Sequence, residues 1–257
     1  MALQPPTHRI TVENISGAPP GVQKIIVQDV AFKLEAGQGL GIIGPSGSGK
    51  SSVARLLVGV WQPVRGSVRL DGAALDQWSP DALGEHIGYL PQDVELLAGT
   101  VAQNIARFEP EPDNEAVITA AKAVGVHDMI VRLPNGYDTQ VGEQGASLSA
   151  GQAQRVALAR AVYGNPFLVV LDEPNSHLDA EGDEALTRAI LGVRERKGIV
   201  IVIAHRPSAI AGVDQIMVMN QGKMQGIGPK DEVLAKALQR PPQAQPLKVV
   251  PGSGGGA

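Results

Sequence analysis

The sequence predicts an α/β fold with a mainly parallel sheet, an N-terminal antiparallel β subdomain and an inserted α-helical subdomain. Three observations predict it. Short continuous apolar runs at 40–43, 167–171 and 199–204 suit strands buried on both faces. Helical spacing of apolar residues follows such runs, at 51–60 and 180–193. The opening 35 or so residues instead alternate apolar and polar, as half-buried antiparallel strands do.

The elements follow in order. Strands are expected over 8–15 and 25–34, joined by the Ala18-Pro-Pro-Gly21 turn. The strand at 40–43 runs into a glycine loop and the helix at 51–60. A strand over 67–70 closes on Asp71-Gly72, and another over 87–90 ends at Pro91-Gln92. From Asp93 to about Gly164 the pattern turns helical, most clearly over 115–124 and 152–162. The strand at 167–171, helix at 180–193 and strand at 199–204 return to the core. A strand over 215–219, the Asn220-Gln-Gly222 turn and a helix over 231–239 complete it. The result is one domain over 8–240, its core formed by 8–92 and 165–240 around an insertion at about 93–164. Residues 241–257, rich in Pro and Gly, read as a flexible tail.

Composition narrows the function. The 257 residues are 43% hydrophobic, enough for a globular core. Net charge is −4 with no Lys/Arg block, which argues against a nucleic acid partner. The absence of cysteine excludes disulfides, thiolate catalysis and the usual zinc sites. No apolar stretch approaches the ~20 residues that cross a bilayer. The first residues lack the pattern of a signal peptide. The chain is expected to be soluble by itself, with any membrane role supplied by a partner or by another segment.

Gly44-Pro-Ser-Gly-Ser-Gly49-Lys50-Ser51 carries the chemistry. Glycines let the backbone turn its N–H groups around phosphate oxygens, and the following helix adds its positive end. Gly44, Ser46, Gly47, Ser48 and Gly49 form the cradle. Lys50 reaches the β- and γ-phosphates, the Ser51 hydroxyl suits Mg²⁺, and Ser52 adds a second hydroxyl. A chance glycine turn is the alternative, at roughly one chain in a hundred of this length. The second piece is Leu168-Val-Val-Leu-Asp172-Glu173, a buried strand that delivers two carboxylates to its C-terminal end. Asp172 suits a Mg²⁺ contact, direct or through water, and Glu173 is placed to orient or deprotonate the attacking water. Binding and hydrolysis of Mg-ATP is the predicted activity.

From about residue 10 to 238 the chain resembles the nucleotide-binding domain of an ABC transporter, which implies a RecA-like P-loop core. Leu148-Ser-Ala-Gly-Gln152, opening a helix before Asp172, resembles the ABC signature. Ser149 can also simply cap that helix. The resemblance implies nucleotide contacts from Ser149, Gly151, Gln152 and Asp179. Gln92 resembles the Q-loop glutamine that touches Mg²⁺ or the water. Ser176-His-Leu-Asp179 resembles the D-loop, and His205 the switch histidine that holds the γ-phosphate and Glu173. His8, His86 and His127 read as structural. The resemblance also implies a head-to-tail dimer, in which the loop of one copy and the signature of the other enclose each ATP. Hydrolysis should then rise more than linearly with concentration.

Two segments resemble the exporter type, Gly99-Thr-Val-Ala-Gln-Asn-Ile105 and Thr139-Gln-Val-Gly-Glu-Gln-Gly145, which in exporters lie at the contact with membrane-domain helices. Gly88-Tyr-Leu-Pro-Gln-Asp-Val-Glu-Leu-Leu97 and Leu171-Asp-Glu-Pro-Asn175 resemble the ATPases of bacterial type I secretion. That implies a transmembrane domain, in the same chain or as a separate subunit, a periplasmic adaptor and an outer-membrane channel. It implies a place on the cytoplasmic face of the bacterial inner membrane. An exporter of lipid, peptide or drug is the alternative. A soluble ABC ATPase acting on ribosomes usually carries two such domains, and repair ATPases need a coiled coil that 93–147 has no room for. Two departures stand out. Gly17-Ala-Pro-Pro20 has no aromatic where relatives stack one on adenine, and Ala150 replaces a signature glycine.

Overall fold

The computed structural model describes residues 3–142 and 148–239. The tail at 241–257 lies outside them, as do residues 143–147, which include the end of the second exporter-like segment.

The chain is a mixed α/β structure built on a ten-stranded sheet in the order β5-β4-β1-β2-β12-β11-β3-β10-β9-β6. β1 (Arg9–Gly17) and β2 (Val27–Glu35) pair antiparallel, and β4 (Arg65–Leu70) joins the other side of β1. With the short β5 (Ala73–Ala74) they form the N-terminal wing. Their alternation buries Ile10, Val12, Val30 and Leu34 on one face.

The other half is parallel. β3 (Gly39–Ile43) lies between β10 (Ile199–Ile203) and β11 (Gln215–Asn220). β9 (Leu168–Asp172) and β6 (Ile87–Leu90) extend the block beyond β10. Successive side chains of β9 and β10 enter two different cores. Leu168, Val170, Ile199, Ile201 and Ile203 face the wing and α1 (Lys50–Leu57). Val169, Leu171, Val200 and Val202 face the helical side. Both faces are covered, so an unbroken apolar run is required.

The helical side holds α3 (Val101–Ile105), α4 (Asn114–Ala123), α5 (His127–Val131), α6 (Ala150–Val162) and α7 (Ala180–Glu195). Thr100, Asp113, Ser149 and Asp179 cap four of these helices with side-chain oxygens. α6 also reaches the sheet, and at Gly88 of β6 a side-chain carbon would meet the Ala161 carbonyl at 1.8 Å. Only glycine permits that approach.

The structure adds elements that the residue pattern did not show. β7 (Gly99–Thr100) and β8 (Gln140–Val141) form a two-stranded ribbon within the stretch expected to be helical. Fully buried Asn104 holds its edge, donating to the Leu97 and Thr100 carbonyls and accepting from the Leu97 N–H. β12 (Lys223–Pro229) folds back antiparallel on β11 and touches β2 at Lys223, joining wing to core. Its mostly exposed residues give no apolar alternation, and apart from Met224, which packs on the wing-side core, backbone pairing places it. α2 (Pro80–His86), capped by Ser79, is a short helix of about two turns before β6. The helix expected over 231–239 is present as α8 (Lys230–Gln239) and closes the described chain. His86 packs edge-on against Trp78, and His127 Nδ1 lies 2.8 Å from the Tyr137 hydroxyl, both structural contacts. Among the described residues, no helix is long and apolar enough to cross a membrane.

Candidate functional site

The site gathers where four parallel strands end within one residue of one another. Ile42 of β3 stands beside Ile203 of β10, and Ile203 beside Asp172 of β9. Leu171 stands beside Leu90 of β6. The chain leaves these strands at Gly44, His205, Glu173 and Pro91-Gln92. Four sequence-distant segments are thus brought to one edge, the usual ligand side of an open α/β sheet.

The loop from Gly44 to Gly49 links β3 to α1. Gly44 has φ 154°, and a side-chain carbon there would meet the Met219 carbonyl at 2.1 Å. Gly49 caps α1 at φ 94° with no side-chain cap. The loop is braced from behind: the Ser48 carbonyl accepts from the Gly222 N–H at 3.0 Å, and the Gly222 carbonyl accepts from the Gln28 N–H at 2.8 Å. The turn before β12 therefore ties the loop to the wing. The first N–H groups of an α-helix have no partner within it, and α1 begins directly after the loop, an arrangement suited to anions. Lys50 is nearly buried, and its Nζ donates to the Gly44 and Pro45 carbonyls at 3.0 and 2.9 Å. Burial draws its pKa down, opposed by the carboxylates of Glu173 and Asp172. Ser46 is exposed and Ser51 half-buried, while Ser48 and Ser52 are buried.

Asp172 is 1% exposed, and neither of its carboxylate oxygens has a hydrogen-bond partner. Burial pushes its pKa up to about 6; the nearby Ser51 hydroxyl opposes this, and the Glu173 charge adds to it. A buried carboxylate with two idle oxygens, beside Ser51 and Lys50, fits a cation brought in with a phosphate chain. Glu173 sits in the left-handed region at φ 51°. Its N–H donates to the Ile203 carbonyl at 2.9 Å, and its Oε1 lies 2.9 Å from His205 Nε2. Gln92 is exposed, two residues past the end of β6.

The residues of 148–152 lie elsewhere. Ser149 caps α6 reciprocally with Gln152: the Ser149 Oγ accepts from the Gln152 N–H, and the Gln152 Oε1 accepts from the Ser149 N–H. A side-chain carbon on Gly151 would meet the His177 carbonyl at 2.8 Å. The glycine is needed because the 176–179 loop lies directly against α6. Asp179 caps α7 through the Gly182 N–H and pairs with Arg155 at 2.6 Å. In its own chain this segment contacts the 176–179 loop, while Ser149 and Ala150 remain exposed.

Three side chains were missed from the residue pattern. Gln154 is buried and bonded to the segment after β9, Asn175 donates to the Ser208 Oγ at 3.1 Å, and Arg155 pairs with Asp179. The signal for Gln154 was its place in the stripe 154, 157, 158, 161 of α6, where its companions are Ala157, Leu158 and Ala161.

Comparison with known proteins follows from this arrangement. The family described as ABC transporter matches over residues 27–176. A type I secretion system ATP-binding protein, PrsD of Rhizobium meliloti (strain 1021), is 61% identical over 253 residues, covering 97% of this chain and 43% of that protein. The human ATP-binding cassette sub-family B member 6 is 40% identical over 210 residues, covering 82% of this chain and 25% of that protein. A solved bacterial Atm1-family ABC exporter with ATP bound superimposes with a TM-score of 0.82 at 35% identity, covering 92% of this chain and 41% of that one. The chain spans less than half the length of each.

The idle carboxylate of Asp172 yields a prediction. Its folded pKa, about 6, lies above its ordinary 3.8. Stability is therefore lost as pH rises through that window, by about 3 kcal/mol when Asp172 is fully ionised. Without nucleotide, Asp172→Asn should stabilise the chain by about 1–3 kcal/mol at pH 7.5. The gain should vanish near pH 4. Denaturant unfolding at the two pH values measures it, and a gain independent of pH would contradict the assignment.

Proposed function

The chain belongs to the ABC transporter family, as an ATP-binding domain of the kind that hydrolyses ATP, and from that premise we propose how its residues act. The domain, taken as 8–240, binds Mg-ATP in the loop 44–51 and hydrolyses it to power an exporter. One observation carries this reading: the Glu173–His205 contact at 2.9 Å, at the same sheet edge as the loop and Asp172.

Backbone N–H groups of 47–52 and the charge of Lys50 hold the β- and γ-phosphates. Asp172 and Ser51 would hold Mg²⁺, with Gln92 at the neighbouring strand end, and the ion would supply positive charge to neutralise the phosphates. Among the described residues, no cluster of three or more His, Cys, Asp or Glu forms a metal site. Glu173 orients or deprotonates the water, and His205 fixes the Glu173 carboxylate. Ser149, Gly151, Gln152 and the N-terminus of α6 act on the γ-phosphate bound by a second copy, head to tail. The exposure of Ser149 and Ala150 supports that role. Asp179, engaged with Arg155 and α7, shapes the 176–179 loop from which it would approach the second copy.

A transmembrane domain is the second partner. A cleft of about 830 Å³ opens between α2, β6 and the end of α6. Arg107 lines it, donating to the Gly84, Arg160 and Tyr163 carbonyls, as does exposed Phe108. Phe108 follows the 99–105 segment closely in sequence, so the cleft is the proposed seat for a segment of the transmembrane domain. The 61% identity to a type I secretion protein favours protein secretion, with a periplasmic adaptor and outer-membrane channel, at the cytoplasmic face of a bacterial inner membrane. The 40% identity to a sub-family B member keeps export of another substrate class as the second reading.

The nucleotide base has an aliphatic surface. Val22 and Ile25 are exposed, and the Ile26 carbonyl lies 3.4 Å from the side-chain position of Gly49. No aromatic occupies 17–26. Two outcomes are expected. Glu173→Gln should keep ATP binding, lower turnover about 10²- to 10⁴-fold and trap an ATP-bound dimer. Steady-state hydrolysis and size-exclusion chromatography measure these, and undiminished turnover would remove Glu173 from the mechanism. GTP should be hydrolysed nearly as well as ATP, and a large ATP preference in direct competition would rule out the aliphatic base surface.

A further inference from the structure

Outside the phosphate loop, α6 buries a neutral polar side chain. Gln154 is 2% exposed, in the second turn of α6. Its Nε2 donates to the Pro174 carbonyl at 2.7 Å and the Glu173 carbonyl at 3.1 Å, with the Ser176 Oγ at 3.2 Å. Its Oε1 accepts from the His177 N–H at 3.0 Å. The partners fix which way the amide points, since carbonyls only accept and a backbone N–H only donates. All of them belong to the run 173–177 that connects β9 to α7.

We propose that Gln154 is a positioning residue, tying the placement of the α6 N-terminus to the backbone of Glu173. The inference rests on Glu173 acting on the attacking water. Glu173 needs to be held, because a left-handed conformation costs a non-glycine residue about 1–2 kcal/mol. Its N–H and carboxylate are held from β10, by Ile203 and His205. Its carbonyl is held from α6, by Gln154. Asn175 adds a link to Ser208, three residues past His205. The run 173–177 is thus clamped between the signature helix on one side and the loop after β10 on the other. Ser149 caps the same helix five residues before Gln154. A shift of that helix end, where a second copy's γ-phosphate would bear, therefore reaches Glu173 through little more than one rigid turn and one amide.

Space-filling does not explain the residue. An apolar side chain would fill the same volume, but it would leave the Glu173 and Pro174 carbonyls and the His177 N–H without this partner. A carboxylate there would set negative oxygens against two carbonyls.

The test uses the full chain with Gln154→Met, Gln154→Glu and Glu173→Gln, alone and with Gln154→Met combined with Glu173→Gln. ATP affinity, thermal stability and kcat per ATP-binding site are measured at saturating Mg-ATP. Gln154→Met should lower kcat about 10²-fold at unchanged ATP affinity, the scale of a misplaced reacting group. Gln154→Glu should lose at least as much. In the Glu173→Gln background, Gln154→Met should cause no further loss, because no base remains to be positioned. Loss of turnover in Glu173→Gln with an unchanged kcat in both Gln154 variants would overturn the role of Gln154 and leave that of Glu173 standing. A lower thermal stability with unchanged kcat per site, or a further full loss in the Glu173→Gln background, would mark scaffolding alone and overturn it too. Full turnover in Glu173→Gln would remove both.

Discussion

Ile42, Ile203 and Asp172 stand level across three parallel strands, with Leu90 one step back on a fourth. The site depends on that register. A one-residue slip of β9 would turn Asp172 to the opposite face and send its neighbours into the wrong core. The slip is opposed by the two-sided burial of the strands. Val169 and Leu171 enter one apolar core while Leu168 and Val170 enter the other, so no shifted pairing keeps both filled. Packing that has no contact with ligand thereby sets where the carboxylates stand.

Around that register the molecule accumulates features that cost stability without nucleotide. Asp172 is buried with idle oxygens, Lys50 is buried and draws on loop carbonyls, and Glu173 is held in the left-handed region. Each is tolerated because neighbouring backbone over-determines it. The Gly222 turn braces the phosphate loop from behind, and β10 and α6 brace Glu173 from two sides. Such strain clusters where charge is to be received, and binding of a metal and an anion would relieve it.

Most of the strands and the residues at their ends were legible in the sequence, for identifiable reasons. The buried strands were visible because two-sided burial demands unbroken apolar runs. The loop was visible because its glycines answer to backbone angles that other residues adopt poorly. Asp172, Glu173 and His205 were visible because they follow such strands. What stayed hidden has no side-chain pattern. β12 is mostly exposed, each strand of the β7–β8 ribbon is two residues long, and both join the fold without apolar alternation. Gln154 was hidden by its surroundings: a glutamine in a helix usually faces water, and only its place in an alanine and leucine stripe marks it as buried. Gly151 gained a second reason for being glycine, the close approach of His177. The resemblance alone did not supply that reason.

Hydrolysis is proposed to need a shared site, the loop of one copy completed by the 148–152 segment of another. The most direct test mixes two inactive chains. Lys50→Ala disables the loop and keeps the signature segment, while Ser149→Arg does the reverse. Each alone should hydrolyse almost no ATP. Their equimolar mixture should regain hydrolysis, because one intact composite site forms in every mixed pair. A mixture no more active than its separate components would contradict the shared site.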